Sequence, residues 1–252
     1  MRIDSETFFA GMADVMNAEP DRFRILGDAD MVAALVMRKA DGDFAVSGDS
    51  DLLTERRASV HPAPWTWLRQ QHGSEVVVVT HAGEHAGAEA DAAVTVVPDA
   101  PIAVQTADCA PVLLEGEGAV GVVHAGWRGL VAGVIEETAQ TMTDLGHPPL
   151  RARLGPCIRA RCYEFGVEEM SEVASRYGPK VVSTTAWGTP ALDLAAAIRA
   201  ACSWLEVPLH DVATCTACSS THWSHRARGD VARQTLVAWL SDDVADPSAV
   251  AR

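Results

Sequence analysis

The chain has 252 residues, 48% of them apolar, with 34 acidic against 20 basic side chains and a formal charge of −14. That length and apolar share are enough for a sizeable core in one large or two small domains. So negative a field repels phosphate backbones, which argues against a nucleic-acid-binding surface but leaves room for a local arginine cluster.

In chain order, the N-terminal MRIDSETFFAGMADV has no basic leader and no apolar run of secretory length. Nothing further on approaches the roughly 18 apolar residues of a membrane span, so a cytoplasmic protein without membrane contact is expected. Val32–Arg38 reads as a strand and Asp51–Val60 as a short helix. The β-branched runs Glu75–Thr80, Ala92–Val97 and Ile102–Thr106, bounded by Gly, Pro or Asp, read as strands. Val112–Leu114 and Ala119–Val123 flank the turn EGEG as a hairpin. The apolar spacing of Leu130, Val134, Thr138 and Met142 predicts a helix over Leu130–Leu145, stopped by Gly146-His147-Pro148. Further helices are predicted at Val167–Tyr177, Leu192–Leu205 and Asp230–Leu240, with strands near Arg151–Leu154 and Lys180–Ser183. Strands in blocks separated by single helices favour an α+β class with a mixed β-sheet flanked by helices. No composition break divides the chain, so a single domain over 1–252 is expected.

Three segments place a metal-competent side chain at a strand end beside a Gly or Pro turn: RQQHGSEVVVV with His72, VQTADCAPVLL with Cys109, and GVVHAGWRGL with His124. Two imidazoles and one thiolate make the three protein ligands that a catalytic zinc keeps while leaving its fourth position open. The spacings, 37 and then 15 residues, match no zinc finger. Read singly, Cys109 is a small buried hydrophobe and His72 a turn residue. Of the other thiols, Cys215 and Cys218 form one C-x-x-C, which Cys157 and Cys162 complete only if the fold brings them together. Cys202 lies on a helical apolar face. In a reducing compartment all six are thiols or ligands rather than disulfides.

Arg128, at the first turn of the Leu130 helix, suits an anion at a helix N-terminus. Arg226, Arg228 and Arg233 cluster in WSHRARGDVARQ, either as an anion site or as solvated surface charge. Gly126 and Gly129 are expected to let the backbone turn tightly, and Trp127 either walls the pocket or packs beneath it.

Taken together, these residues resemble the laccase-domain family, also called multicopper polyphenol oxidoreductases and now understood as purine nucleoside phosphorylases. The resemblance rests on Gln70-x-His72-Gly73, Ala90-Asp91-Ala92-x-Val94-Thr95, Thr106-Ala107-Asp108-Cys109-x-Pro111-Val112-Leu113-Leu114 and His124-Ala125-Gly126-Trp127-Arg128-Gly129. Gly155-Pro156-Cys157-Ile158, Tyr163-Glu164-x-Gly166, Leu192-Asp193-Leu194, Cys215-Thr216, Ser224-x-Arg226 and Arg233-Gln234 extend it over residues 69–240. It implies a fold of the laccase-domain, cytotoxic-necrotizing-factor-like type. It also implies zinc, rather than copper, on His72, Cys109 and His124. The implied partners are a purine nucleoside (adenosine, inosine or guanosine) and inorganic phosphate, with adenosine deamination and methylthioadenosine cleavage as companion activities. Arg38, Gln70, Arg128 and Arg226 are the expected substrate contacts. The expected catalytic positions are Cys109, through the metal, with Asp108 or Glu164 moving the proton. Asp91 and Asp193 read equally as caps or ion-pair partners.

Three features depart from the family pattern. VMRKADGDFAVSGDSD keeps Arg38 but loses a glycine pair, the usual Ser-Tyr-Arg is Ser224-His225-Arg226, and the usual paired cysteines after Cys215 are replaced by TACSS. These departures leave the substrate-side contacts open, and with them the reading of a catalytically altered zinc-binding module. An oxygen-reducing copper oxidase needs a trinuclear cluster built from His-x-His pairs; the chain has nine histidines and no such pair. The H-x-E with P-C-x-x-C signature of zinc nucleobase deaminases is also missing.

Overall fold

The computed structural model describes residues 31–48 and 50–241. The N-terminal stretch MRIDSETFFAGMADV lies outside the described residues. In chain order the elements are β1 (Met31–Val36), α1 (Ser50–Val60), β2 (Thr66–Trp67), β3 (Val76–Val79), β4 (Ala92–Thr95), β5 (Ile102–Thr106), β6 (Ala110–Gly116) and β7 (Ala119–Ala125). Then follow α2 (Trp127–Ala132), α3 (Val134–Asp144), β8 (Pro149–Leu154), α4 (Val167–Tyr177), β9 (Val182–Thr184), β10 (Pro190–Leu192), α5 (Leu194–Trp204), β11 (Leu209–Asp211), α6 (His225–Arg228) and β12 (Gln234–Ser241).

The class is α+β, with mixed sheets flanked by helices. A four-stranded sheet runs β1-β12-β5-β2 and a six-stranded sheet β11-β8-β6-β7-β4-β3, while β9 and β10 pair as a separate ribbon. The pairs β2–β5, β3–β4 and β8–β11 are parallel; the other pairings within the sheets are antiparallel.

Side-chain alternation assigns the faces. In β7, Val120 and Val122 join Ala93, Val104, Leu113 and Leu236 in a core between the two sheets. Their neighbours Ala119, Val123 and Ala125 belong to the opposite face, packed against Leu130, Ile135, Val173 and Ile198 of the helical layer. Phe44, Leu53, Trp65 and Trp239 cover the outer face of the four-stranded sheet. The result is two packed sheets with helices outside each. Each fully buried Val or Leu contributes about 1.5–3 kcal/mol. The sandwich is therefore stiff, and its strand ends are firm mounts for side chains.

Three helix expectations are corrected. Asp230–Leu240 holds the strand β12, with Leu236, Ala238 and Leu240 facing the inter-sheet core and Val237 and Trp239 facing outward. Buried on both faces between β1 and β5, it reads as an unbroken apolar run, which periodicity cannot tell from a buried helix. Leu130–Leu145 is two helices, because Gly133 adopts φ 90° and ψ 30° and ends α2 after six residues. That left-handed conformation suits glycine. Likewise Leu192 closes β10, and Asp193 then caps α5 by accepting from the Ala196 N–H at 2.9 Å. Among the described residues no helix is long and apolar enough to cross a membrane.

Candidate metal centre

The chain leaves β5 in one sheet and enters β6 in the other through Ala107-Asp108-Cys109, and Asp108 takes φ 102° in that tight crossing. This crossing sets Cys109 at the rim of the sandwich. His124 is the penultimate residue of β7 and shares the alternation of Val120 and Val122, so it faces the gap between the sheets. His72 arrives on the loop before β3 with φ 58°. Left-handed non-glycine residues are uncommon, and two of them here hold the chain in shapes that serve the site.

The donor atoms of His72, Cys109 and His124 lie within 4.8 Å of one another, close enough to share one ion at ordinary metal–nitrogen and metal–sulfur distances. The His72 and His124 rings are 4.8 Å apart between centroids. Burial would push the Cys109 thiol up, but the adjacent His124 and His72 rings override it and bring it down to about 6. Burial would lower His124, yet Cys109 and Asp91 raise it to about 9. The pair is a thiolate beside an imidazolium, and a divalent cation can take the place of that imidazolium proton. The residues therefore fit a metal ion.

Asp91, only 1% exposed, organises the centre. The His124 Nδ1–H donates to Asp91 Oδ1 at 2.7 Å, which leaves Nε2 as the nitrogen that would hold an ion. The same carboxylate accepts the backbone N–H groups of Gln71 (3.0 Å), His72 (3.0 Å) and Gly73 (2.8 Å), fixing the loop that carries His72. Although burial favours the neutral acid, these bonds and the His124 charge hold Asp91 below the usual carboxylate range. Asp91→Asn replaces one acceptor oxygen with an NH2 group. That group must face either Gln71 and Gly73 N–H or His72 N–H and His124. Metal affinity is expected to fall about tenfold, measured by competition with a chromogenic chelator.

The two glycines of HAGWRG serve close approach rather than a tight turn. Gly126 has φ −81°. A Cβ there would lie 2.6 Å from His72 Nδ1 and 3.2 Å from Cys109 Sγ, inside the metal site. A Cβ on Gly129 would meet the Gly73 carbonyl oxygen at 3.0 Å. Trp127 packs, its ring edge-on to Phe165 at 5.5 Å.

A cavity of ≈ 370 Å³ opens over the three ligands and is also walled by Gln70, Gln105, Ser47, His225 and Arg233. The Gln70 amide both donates to the Gln105 carbonyl (2.7 Å) and accepts the Gln105 N–H (2.8 Å), so it straps the His72 loop to β5. Asp108 stands next to Cys109 with both oxygens engaged, by the Thr216 hydroxyl at 2.6 Å and the Arg226 N–H at 2.7 Å. The Glu164 carboxylate accepts from Trp187 and Thr189 and borders a different cavity, shared with Arg226. Arg226 lies over the Tyr163 ring at 5.1 Å and donates to the Glu164 carbonyl. Arg128 is exposed and stacks on Trp127 at 4.3 Å. Arg38 follows β1 with its N–H on Asp41 and does not line the metal cavity. The structure thus brings together the three ligands and Gln70, and sets the remaining expected residues around or away from them. His225 and Arg233, neither of them among the expected site residues, line the cavity instead.

Residues 34–241 match the family model described as multi-copper polyphenol oxidoreductase laccase. The chain is 39% identical over 208 residues to the purine nucleoside phosphorylase SCO2081 of Streptomyces coelicolor, covering 79% of this chain and 84% of that protein. The crystal structure of Neisseria meningitidis protein NMB0706 superposes with a TM-score of 0.74 at 26% identity, covering 83% of this chain and 94% of that one. Bacillus licheniformis YfiH shares the fold at a TM-score of 0.74 and 22% identity, over 87% of this chain and 99% of that one.

Proposed function

The chain belongs to the multi-copper polyphenol oxidoreductase laccase family, and from that membership we propose that it is a zinc-dependent purine nucleoside phosphorylase acting on adenosine, inosine and guanosine. Adenosine deamination and methylthioadenosine cleavage are companion activities in this reading. The observation that carries it is the placing of two imidazoles and a thiolate on the wall of an open cavity, the arrangement of a metal site that receives substrate. The likeness to relatives named purine nucleoside phosphorylase supplies the reaction.

When bound at His72, Cys109 and His124, zinc supplies Lewis-acid polarisation at its open position. Asp91 holds His124 in the tautomer that binds it, and Gln70 fixes the wall beside it. Arg233, anchored through Nη1 to the carbonyls of Asp230, Val231 and Ala232, offers its charge to phosphate. In phosphorolysis a phosphate oxygen forms a bond to C1′ of the ribose while the C1′–N9 bond breaks and the purine takes up a proton. Asp108 is engaged on both oxygens and Glu164 faces another cavity, so we assign the proton to His225, which lines the metal cavity. Asp108 is then a positioning residue for the Cys109 turn.

Among the described residues, two clusters could hold a metal, and neither is a trinuclear histidine set of the kind that four-electron oxygen reduction on copper requires. Incubation of the zinc-loaded chain with inosine is expected to release hypoxanthine and ribose 1-phosphate only when phosphate is present. Ammonia from adenosine reports deamination. Oxygen uptake with a phenol and no phosphorolysis would overturn the proposal, as would bound zinc with no product at all.

A further inference from the structure

We propose that Cys162, Cys215 and Cys218 hold a second metal ion, a zinc, through three thiolates. The fold assembles them from two segments far apart in the chain. A bridge between Cys157 and Cys215 joins these segments, with the Cys157 N–H on the Thr214 carbonyl at 3.3 Å and the Thr216 N–H on the Cys157 carbonyl at 3.1 Å. Cys157 itself turns into the core, where burial pushes its thiol up to about 12. Cys162, on the next turn, joins the C-x-x-C in its place.

The three sulfurs lie within 4.8 Å of one another, and Cys162 and Cys218 are 3.3 Å apart. Zinc bonded to sulfur at 2.3 Å in a tetrahedron sets sulfurs about 3.8 Å apart, so small side-chain rotations suffice. Three sulfurs this close cannot all ionise without a cation among them, and an all-thiolate set selects a soft or borderline ion such as zinc.

The fourth position is open to solvent. Cys218 is exposed, and Cys162 borders the ≈ 460 Å³ cavity of Glu164, Trp187 and Arg226. Within the C-x-x-C, Thr216 donates to Asp108 beside Cys109. A second ion would stiffen the loop that presents the first site's thiolate.

The test is independent of activity. The full-length chain is expected to retain about two equivalents of zinc, and His72→Ala, Cys162→Ser and Cys218→Ser about one each. The His72→Ala, Cys218→Ser double variant is expected to retain almost none. Cobalt substituted into His72→Ala should show sulfur-to-cobalt charge-transfer absorption that Cys218→Ser abolishes. Equal zinc content in wild type and both serine variants would overturn the proposal. A Cys162–Cys218 disulfide in zinc-free protein from a reducing cytosol, detected as a loss of two hydrogens by mass spectrometry, would do the same.

Discussion

Replacing Cys109 with serine is expected to leave the fold intact, empty the first metal centre and lower kcat/KM for inosine phosphorolysis about 10³-fold. Serine has nearly the same shape, and Cys109 sits in a turn whose backbone bonds do not use its sulfur, so thermal unfolding should shift little. The chemistry does not survive the exchange. Beside His124 and His72 the thiol is held at about 6 and is an anion at neutral pH. A serine hydroxyl in the same place remains protonated and is a poor ligand for zinc. Two imidazoles remain, one of them on an exposed loop, and two ligands hold zinc far less tightly than three. A metal acting as Lewis acid supplies several kcal/mol of transition-state stabilisation, which at 1.36 kcal/mol per decade is the stated loss. Zinc content after dialysis and steady-state rates at saturating phosphate check both halves. Full turnover in the zinc-free serine variant would remove the metal from the mechanism.

The strands and helices around the site were legible in the sequence because they obey local rules. Ile102–Thr106 and Val167–Tyr177 appear with the bounds their punctuation predicts. The ligands were legible because each is a metal-competent side chain beside a Gly or Pro turn, although only His124 lies within a strand, His72 being on the loop before β3 and Cys109 between β5 and β6. What stayed hidden depends on contacts between distant segments. β12 passes for a helix because it is apolar on both faces, and only its place between β1 and β5 makes it a strand. Asp91 is one carboxylate in ADAAVTVV until the fold places it beneath both the His72 loop and the His124 ring. Gly126 looks like turn chemistry, whereas its missing Cβ is what admits His72 and Cys109. The carboxylates that the motifs offered as acids are adjacent to the ligands in sequence. Adjacency along a strand sends neighbours to opposite faces, and here a tight crossing sends Asp108 toward Thr216 and Arg226 instead of the cavity. The wall residues Ser47 and Arg233 come from a poorly patterned loop and from the residue just before β12, so no single motif joins them.

His225→Phe is expected to lower kcat for inosine phosphorolysis about 10²-fold, the contribution typical of a well-placed general acid, with KM and zinc content near wild type. The ring is well positioned for that duty. Ser224 caps α6 by accepting the Ala227 N–H at 3.2 Å, and its own N–H donates to Asp230 at 2.9 Å, which fixes the turn on which His225 stands. The His225 Nδ1–H reaches the Asp230 carbonyl at 3.3 Å, so the proton for a purine nitrogen is the second one, carried on Nε2 of the imidazolium, and its loss leaves the neutral ring. Phenylalanine keeps the ring and removes the proton. A loss of packing alone would raise KM or lower the unfolding temperature, so a fall confined to kcat separates proton donation from structure. His225→Tyr restores the family's usual Ser-Tyr-Arg and offers a phenolic proton at a similar reach; it should recover part of the loss. The sharper discrimination uses 7-methylguanosine, whose base already carries a positive charge and departs without protonation. With that substrate the phenylalanine and histidine enzymes should turn over at comparable rates. A His225→Phe enzyme that keeps full kcat on inosine, or one that loses as much on 7-methylguanosine as on inosine, would show that His225 does not deliver the proton.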